Sequence, residues 1–299
     1  MSAVTEQRTT TRALPARRGR TTDRHARRGV ADWVTLALAV LVGIAVVAPL
    51  ILILLNSFKS PDDYAANGPL SLPTHVYLHG IVTFWDKVDF LQKLGNSVVI
   101  CGLVAVFGVL FSVLNAYALG VGKVRGRIPL LMMFLLANMV PQEALLYPLY
   151  YMAKAVGLYD SIWAVIIIFT VIQCAFGTYL LSSVFAVFPK ELLEAAAIDG
   201  AGRWRTLWRV LVPMSRPTLS VLLVFFFIWT WNEFLIPLTF LVSNSHQTVP
   251  IAIASLQGDR IMDITTTSAS ALLGLIPTLL FFLFFQRTLT RGITAGAIK

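Results

Sequence analysis

Two carboxylates lie in stretches of the sequence that are otherwise apolar, and they are the first candidates for chemistry. Glu143 falls in the stretch 128–152, and Glu233 falls in the stretch 218–242. A charged side chain costs several kcal/mol in hydrocarbon unless it faces protein or water. Each carboxylate is therefore a candidate for the pathway of a transported solute. A hydrogen bond that only fixes helix packing is the alternative for both.

The surroundings of Glu233 suit a polar ligand with flat apolar faces. Trp229 and Asn232 lie close to it in the sequence, and they offer an aromatic ring and an amide of the kind that sugars require. At a rise of 1.5 Å per residue, Glu233 lies about 22 Å from the start of its stretch. This is the outer half of the stretch if the stretch enters the membrane from the inside. The predicted substrate-pathway residues are Glu143, Trp229, Asn232 and Glu233.

Four other residues in the apolar stretches have structural interpretations. Asn138 and Gln173 carry lone amides, which in membrane proteins often hydrogen-bond to a neighbouring helix. Pro237 and Pro277 each remove a backbone donor, and the freed carbonyls are tolerated where a helix bends or lines a cavity. We expect a kink at each proline, at a gate that moves.

The sequence offers little for catalysis or metal binding. All four histidines lie outside the apolar stretches, and the zinc-protease pattern His-Glu-x-x-His does not occur. Residues 120–123 (Gly-Val-Gly-Lys) lack the spacing of a phosphate-binding loop. Cys101 and Cys174 lie singly in apolar runs and form no ligand set. We therefore expect no catalytic site, metal or cofactor in this chain.

The composition requires a bilayer as solvent. Of the 299 residues, 57% are hydrophobic and 13% are charged, whereas soluble domains carry about 25% charged residues. The fold class is thus predicted to be all-α, a polytopic membrane protein with six transmembrane helices of roughly 20 residues each. The third either continues to residue 152 or breaks into an interfacial segment. The six stretches are residues 33–55, 96–119, 128–141, 162–185, 218–242 and 268–285.

The basic residues fix the orientation of these helices. With the N-terminus inside, 19 of the 24 Lys and Arg residues fall on inner segments and the remaining five on outer ones. Such an excess marks the cytoplasmic side, so both termini are predicted to be cytoplasmic. The net charge of +9 is explained by this asymmetry and requires no nucleic acid. Residues 1–32 are expected to form a disordered basic tail, with a nucleic-acid arm as the alternative.

The inner loop of residues 186–217 is too long to be a simple turn, and its sequence predicts two short helices. Pro189 suits a first helical turn, and the alanines at 195–197 are strong helix formers with little bulk. Gly200 and Gly202 then end this helix. A second helix follows, ended by two prolines. Its apolar stripe consists of Trp204, Leu207, Trp208 and Leu211.

A helix–glycine–helix with an alanine face suits protein docking, because small side chains let the backbone of another protein approach closely. Two carboxylates flank that face and can pair with basic residues of the partner. The alternative is an interfacial helix pair whose tryptophans dip into the acyl boundary, which leaves the alanines, carboxylates and glycines unexplained. The predicted docking residues are Glu194, Ala195, Ala196, Asp199, Gly200, Ala201 and Pro213.

The segment Glu-Ala-Ala-Ala-Ile-Asp-Gly-Ala at 194–201, followed by Pro213, resembles the conserved cytoplasmic loop of binding-protein-dependent ABC importer permeases. In that family the loop is a pair of coupling helices that insert into a cleft of the ATP-hydrolysing subunit. Val210 and Val212 stand where isoleucine and leucine are usual. Four other segments are similar to the maltose-type carbohydrate permeases: 56–59 (Asn-Ser-Phe-Lys), 96–97 (Asn-Ser), 147–150 (Tyr-Pro-Leu-Tyr) and 231–234 (Trp-Asn-Glu-Phe). Residues 291–299 resemble the tail of the smaller of the two permeases in such systems.

The resemblance covers residues 33–299, which we expect to form one permease domain. It implies a bacterial inner-membrane complex of this chain, a second homologous permease, two ATPase subunits and an external solute-binding protein, embedded in membrane lipid. It also implies import of a sugar or related polyol, without indicating which. The alternative from another class is an ion-coupled secondary transporter, which would use intramembrane carboxylates, usually within inverted repeats. No internal repeat is visible in the sequence.

Overall fold

The computed structural model describes residues 30–122, 124–257 and 264–297, and every regular element among them is helical. The predicted basic tail lies outside this description except for residues 30–32, which belong to the first helix. In chain order the helices are α1 (Val30–Asn56), α2 (Pro61–Asn67), α3 (His79–Lys87), α4 (Phe90–Gly120), α5 (Arg127–Met139), α6 (Gln142–Ala155), α7 (Ile162–Ala186), α8 (Lys190–Ile198), α9 (Arg203–Thr206), α10 (Val212–Met214), α11 (Arg216–Asn232), α12 (Leu235–Phe240), α13 (Val249–Gln257) and α14 (Ile264–Ala297).

The chain divides into two compact units, with the boundary inside α1. The first unit, up to Ala48, contains the first part of this apolar helix. The second unit begins at Pro49 and holds the remaining described helices. The elements that position the candidate sites all belong to the second unit.

The structure contains four to six candidate membrane spans among the described residues, and the sequence predicts six. Helices α1, α4, α7 and α14 are each long and apolar enough to cross a bilayer, and the number is six if each of two sharply bent helix pairs counts as one span. The segment Arg127–Met139 is bent by 97° from Gln142–Ala155, and Arg203–Met214 is bent by 79° from Arg216–Asn232. The third predicted stretch therefore breaks, at residues 140–141, and does not run straight on.

The fifth stretch breaks one turn before Pro237, the residue at which the sequence predicts a kink. α11 ends at Asn232, Glu233 is extended with ψ of 134°, and α12 begins at Leu235. Proline lacks the N–H that would bond to the carbonyl four residues earlier, and for Pro237 that carbonyl belongs to Glu233. The break thus lies where the proline frees the backbone. Pro277, in contrast, interrupts no helix, since it lies inside α14.

α4 is the central helix of the fold, because it contributes to three hydrophobic clusters along its length. Its first turns pack near Trp231, its middle packs against α7 and α12, and its last turns pack against α7 and α11. The cluster at the last turns of α4 also includes residues of the inner loop. We call this third cluster the inner cluster, and its buried members are Ala105, Val113, Ala116, Leu181, Phe185, Leu207, Leu211, Leu222 and Phe226.

Small residues let α4 and α7 approach closely. A Cβ atom added at Gly177 of α7 would collide with the side chain of Ser112 of α4, and it would lie 3.0 Å from the ring of Phe226. Gly108 faces the same ring, and a Cβ there would also lie 3.0 Å from it. Gly102, on the same helix, has nothing within 4 Å of such an atom. Close packing of small residues is the usual basis of helix association in membranes.

One of the two predicted interhelical amides is confirmed. Gln173 of α7 is buried and donates from Nε2 to the hydroxyl of Thr230 on α11 at 2.8 Å. The prediction is wrong for Asn138, whose amide donates to the carbonyl of Phe134 in its own helix at 2.7 Å. An amide near a helix end can satisfy itself on its own backbone, and residue type alone does not distinguish the two cases.

Candidate coupling loop and solute pathway

The first short helix of the inner loop ends in a hydrogen-bonded glycine turn. The N–H of Ala201 bonds to the carbonyl of Ala196 at 2.8 Å, and Gly200 between them has φ of +71°. This arrangement is a Schellman-type end, which requires a left-handed residue and therefore favours glycine. A Cβ atom at Gly200 would meet nothing within 4 Å, so a side chain there is opposed by backbone strain and not by crowding.

The helix α8 presents a small apolar surface bordered by carboxylates. Ala195 and Ala197 are exposed, and Ile198 beside them is 86% exposed. Glu194 and Asp199 are exposed at the edge of this surface. These five residues have the low relief and the charge that the docking hypothesis requires, and we call them the α8 face.

Four of the predicted docking residues lie off this face, namely Gly200 of the turn described above and Ala196, Ala201 and Pro213. Ala196 is buried, and its carbonyl closes the glycine turn. Ala201 and Pro213 are half-buried. Pro213 lies inside α10, so the second short helix ends at Met214 and not at this proline as expected.

The apolar stripe predicted for the second short helix is divided in the structure. Leu207 and Leu211 are buried, whereas Trp204 and Trp208 are exposed. A π-helical turn at residues 207–211 joins α9 to α10. Such a widened turn relieves the clash of a proline ring with the carbonyl one turn earlier.

The inner loop is anchored to the core of the spans. Leu207 and Leu211 of the loop belong to the same cluster as Phe185 of α7 and Phe226 of α11, and Leu193 of α8 packs against it. Because packed side chains are weakly compressible, a displacement of α8 is transmitted to these two helices. The inner loop, which carries the α8 face, therefore shares one packed cluster with the spans.

Two helix breaks lie close together on the other side of the core. The break between α5 and α6 consists of extended residues Val140 and Pro141, with ψ of 122° and 130°. The break between α11 and α12 lies at Glu233, and α6 contacts α12. Broken backbone at membrane depth is tolerated only where protein or a water-filled cavity surrounds it.

Glu233 is the centre of the polar groups at these breaks. Its Oε1 accepts a hydrogen bond from the indole N–H of Trp229 at 3.1 Å. Gln142 and Glu143, at the start of α6, are its electrostatic neighbours. Glu233 is half-buried and Glu143 is exposed. The amide of Asn232, in contrast, donates to the carbonyl of Ile228 in its own helix at 2.8 Å.

The structure thus brings together three of the four predicted pathway residues, and it adds Gln142. The signal for Gln142 was present in the sequence, since a second polar residue directly precedes Glu143 after Pro141. Two carboxylates, an amide and an indole around broken backbone can hydrogen-bond a neutral polar solute.

A second set of polar side chains, at the start of α4, is not predicted from the sequence. Lys93 is fully buried and donates from Nζ to the carbonyl of Asn244 at 2.5 Å. The amide of Asn96 donates to two carbonyls of the segment 245–247, at 2.7 and 3.0 Å. The hydroxyl of Ser97 accepts a backbone N–H at 2.9 Å. These residues are spaced i, i+3 and i+4, so they share one helical face and hold the segment after α12.

The same segment is held from its other side by Asp160, in the connection between α6 and α7. Its carboxylate accepts hydrogen bonds from the hydroxyl and the N–H of Ser243, and His246 lies 3.4 Å away. The Ser243 hydroxyl bond first, and its N–H bond second, lower the pKa of Asp160 below the ordinary value of 3.8. The carboxylate is therefore ionised at neutral pH.

Residues 108–295 match a protein family described as "Binding-protein-dependent transport system inner membrane component". The match covers more than half of the chain. The chain belongs to this family. It is thus a permease subunit of an ABC transporter, a multi-pass protein of the inner membrane, and a permease of this kind has no catalytic site of its own.

Similar proteins extend the comparison beyond the matched residues. The arabinooligosaccharides transport system permease protein AraQ of Halalkalibacterium halodurans is 30% identical over 279 residues, which are 90% of this chain and 97% of the relative. The diacetylchitobiose uptake system permease protein NgcG of Streptomyces coelicolor is 26% identical over 88% of this chain and 87% of the relative. Among solved structures, a chain of a bacterial ABC transporter involved in the import of the acidic polysaccharide alginate superposes with a TM-score of 0.76. It is 21% identical, over 87% of this chain and 98% of that one, and it supports the same fold.

Proposed function

We propose that the chain is one of two permease subunits of an ATP-driven importer for a saccharide, namely an oligosaccharide of neutral sugars. Two relatives that match over most of both chains, NgcG and AraQ, carry names of oligosaccharide uptake systems. The two carboxylates near the helix breaks favour neutral sugars over acidic ones, because an anionic solute would be repelled by them.

The proposed complex contains a second homologous permease, two ATPase subunits and an external solute-binding protein. Residues 33–299 form the permease domain, with both termini and the inner loop of residues 186–217 in the cytoplasm. The distribution of basic residues supports this orientation. ATP and Mg²⁺ are bound by the ATPase subunits, and the binding protein delivers the saccharide from outside.

The α8 face is proposed to dock in a cleft of one ATPase subunit. Its exposed alanines allow close approach of a partner backbone, and Glu194 and Asp199 are placed to pair with basic residues there. The observation that carries the proposal is the Gly200 turn, since it orients an exposed small-residue helix on the same core that holds α7 and α11. Closure of the ATPase dimer would thereby move the spans.

The groups around Glu233 are proposed to line the solute pathway. Glu143, Glu233 and Gln142 supply acceptors and donors for sugar hydroxyls, and the indole of Trp229 supplies a flat apolar surface. Asn232, the fourth predicted pathway residue, is proposed to cap its own helix.

The substitution Gly200→Asp tests the docking role. It adds a charged side chain at φ of +71°, a left-handed conformation that glycine adopts more readily than aspartate, and it places a charge beside the α8 face. We expect uptake of radiolabelled saccharide by the complete transporter to fall about tenfold or more, while the amount of the subunit in the membrane stays unchanged on immunoblots.

Gly202→Asp is the matched control. Gly202 has an ordinary φ of −67° and open space around a Cβ atom, so the same side chain is added without strain, two residues further along. We expect uptake within about twofold of the wild type. Normal uptake by the Gly200→Asp variant would refute the docking role.

A further inference from the structure

A large cavity lies where the end of α4 meets the second short helix of the inner loop. Its volume is about 830 Å³. It is separate from the α8 face, because its loop residues belong to α9 and the turn that follows. The lining residues that matter here are Leu114, Tyr117, Ala118, Val121, Arg203 and Trp204.

The cavity carries one charge on an otherwise apolar wall. Arg203 is the only charged residue among the described residues that line it, and it is exposed. Its guanidinium is an electrostatic neighbour of the Tyr117 ring hydroxyl. The acidic residues of the loop, on α8, do not line the cavity. An anionic group at the mouth is therefore attracted and meets no carboxylate.

The depth of the cavity fits the boundary between headgroups and acyl chains. Leu114 lies six residues before the end of α4 at Gly120, which corresponds to about 9 Å along the helix. Trp204 is 66% exposed beside the cavity, and tryptophan side chains prefer the headgroup level of a membrane. Basic pockets between helices on the cytoplasmic side are known to suit anionic headgroups.

We propose that this cavity binds one anionic phospholipid, with its phosphate at Arg203 and an acyl chain along α4 towards Leu114. The proposal rests on the cytoplasmic placement of the loop given under the proposed function. Leu207 also lines the cavity and is buried in the inner cluster. The bound lipid would therefore hold the second short helix against α4 and keep the coupling loop in position.

Native mass spectrometry tests this directly on the full-length chain in mild detergent, titrated with dioleoyl-phosphatidylglycerol or dioleoyl-phosphatidylcholine. We expect one tightly retained phosphatidylglycerol and no comparable phosphatidylcholine. Arg203→Gln should weaken retention about fivefold, the effect of one basic residue near a membrane surface. Arg205→Gln, which removes an equally exposed arginine that does not line the cavity, should leave it unchanged.

Filling the cavity is the second test, and it changes no charge. Ala118 is exposed in the cavity wall, and Ala118→Trp should abolish retention while the thermal stability of the chain is preserved. Equal weakening by Arg203→Gln and Arg205→Gln, or normal retention by Ala118→Trp, would refute the site. Loss of the lipid when the transporter assembles would show that a protein partner fills the cavity and would also refute it. Retention is measured without transport, so either result leaves the proposed importer role untouched.

Discussion

Glu233 is the residue on which the proposed solute pathway depends. Its carboxylate accepts the Trp229 N–H and lies near Gln142 and Glu143 at two helix breaks. Two roles are possible for such a group, a contact to the sugar or a bond that only fixes packing. A substitution that preserves shape and the accepted hydrogen bond separates them.

Glu233→Gln keeps an oxygen for the Trp229 indole and removes the negative charge. A hydrogen bond from a sugar hydroxyl to a charged acceptor contributes about 1 kcal/mol more than one to a neutral acceptor, so we expect the transport rate at low saccharide concentration to fall about fivefold. Subunit abundance and assembly should not change. Asn232→Ala removes an exposed amide bonded to its own helix and should transport within about twofold of the wild type. Normal transport by Glu233→Gln would assign the carboxylate to packing.

Asp160 makes the attachment of residues 243–246 dependent on pH. Its pKa is lowered in the folded protein, mainly by the Ser243 hydroxyl and then by the Ser243 N–H. Because the pKa of Asp160 is lower in the folded than in the unfolded chain, the ionised carboxylate stabilises the fold at pH values above the ordinary pKa of 3.8. This stabilisation is lost as the pH falls through the lower pKa of the folded protein. We expect the wild type to melt at a higher temperature than Asp160→Asn at pH 7. The difference should shrink as the pH is lowered from 4 to 3. A constant difference across this range would contradict the assignment.

At the scale of single residues, the sequence predicts what depends on local chemistry. Gly200 is predicted because a helix end needs a left-handed residue, and Glu143 and Glu233 because a charge is costly in an apolar stretch. Lys93 is missed because its partner, the Asn244 carbonyl, is 151 residues away in the chain. No local pattern reveals a buried lysine whose acceptor is a distant backbone oxygen.

At the scale of elements, α4 and α7 pack against each other in two of the three hydrophobic clusters. Gly177→Val would force a branched side chain against Ser112 and the Phe226 ring, and overpacking of this kind costs about 1–3 kcal/mol. We expect a clearly lower melting temperature in detergent and reduced subunit abundance. Gly102→Val adds the same side chain where nothing lies within 4 Å, and it should differ little from the wild type. Equal effects of the two substitutions would mean that the close approach is not what stabilises the pair.

The sequence predicts which segments are helical, but it predicts the residues at which the helices begin and end only in part. Apolar runs of about 20 residues identify the spans because the bilayer imposes that length. α4 begins at Phe90, six residues before the predicted Asn96, because the buried Lys93 and its polar neighbours look like a loop. The break at Glu233 is predictable in kind from Pro237, and its position follows once the missing hydrogen bond is counted four residues back.

For the whole molecule, one core connects the proposed docking face to the proposed solute pathway. The α8 face lies at one end of the cluster that contains Phe185 and Phe226, and α11 runs from that cluster to the break at Glu233. Gln173 ties α7 to the same helix by a buried hydrogen bond at 2.8 Å. If the inner loop docks on an ATPase as proposed, we expect its displacement to reach the proposed pathway residues through α11.

The proposed coupling requires the α8 face to be cytoplasmic and the segment before α3 to be outside. Cys101 and Cys174 are buried, so single reporters can be introduced with little background labelling. Ile198→Cys and Val76→Cys replace residues that are 86% and 72% exposed. With a membrane-impermeant maleimide, we expect Val76→Cys to react in intact spheroplasts and Ile198→Cys to react only in inside-out vesicles. Adding the ATPase subunits should then slow the reaction of Ile198→Cys alone, because docking covers that face. Labelling of both variants from one side would overturn the topology, and an unprotected Ile198→Cys would overturn the docking.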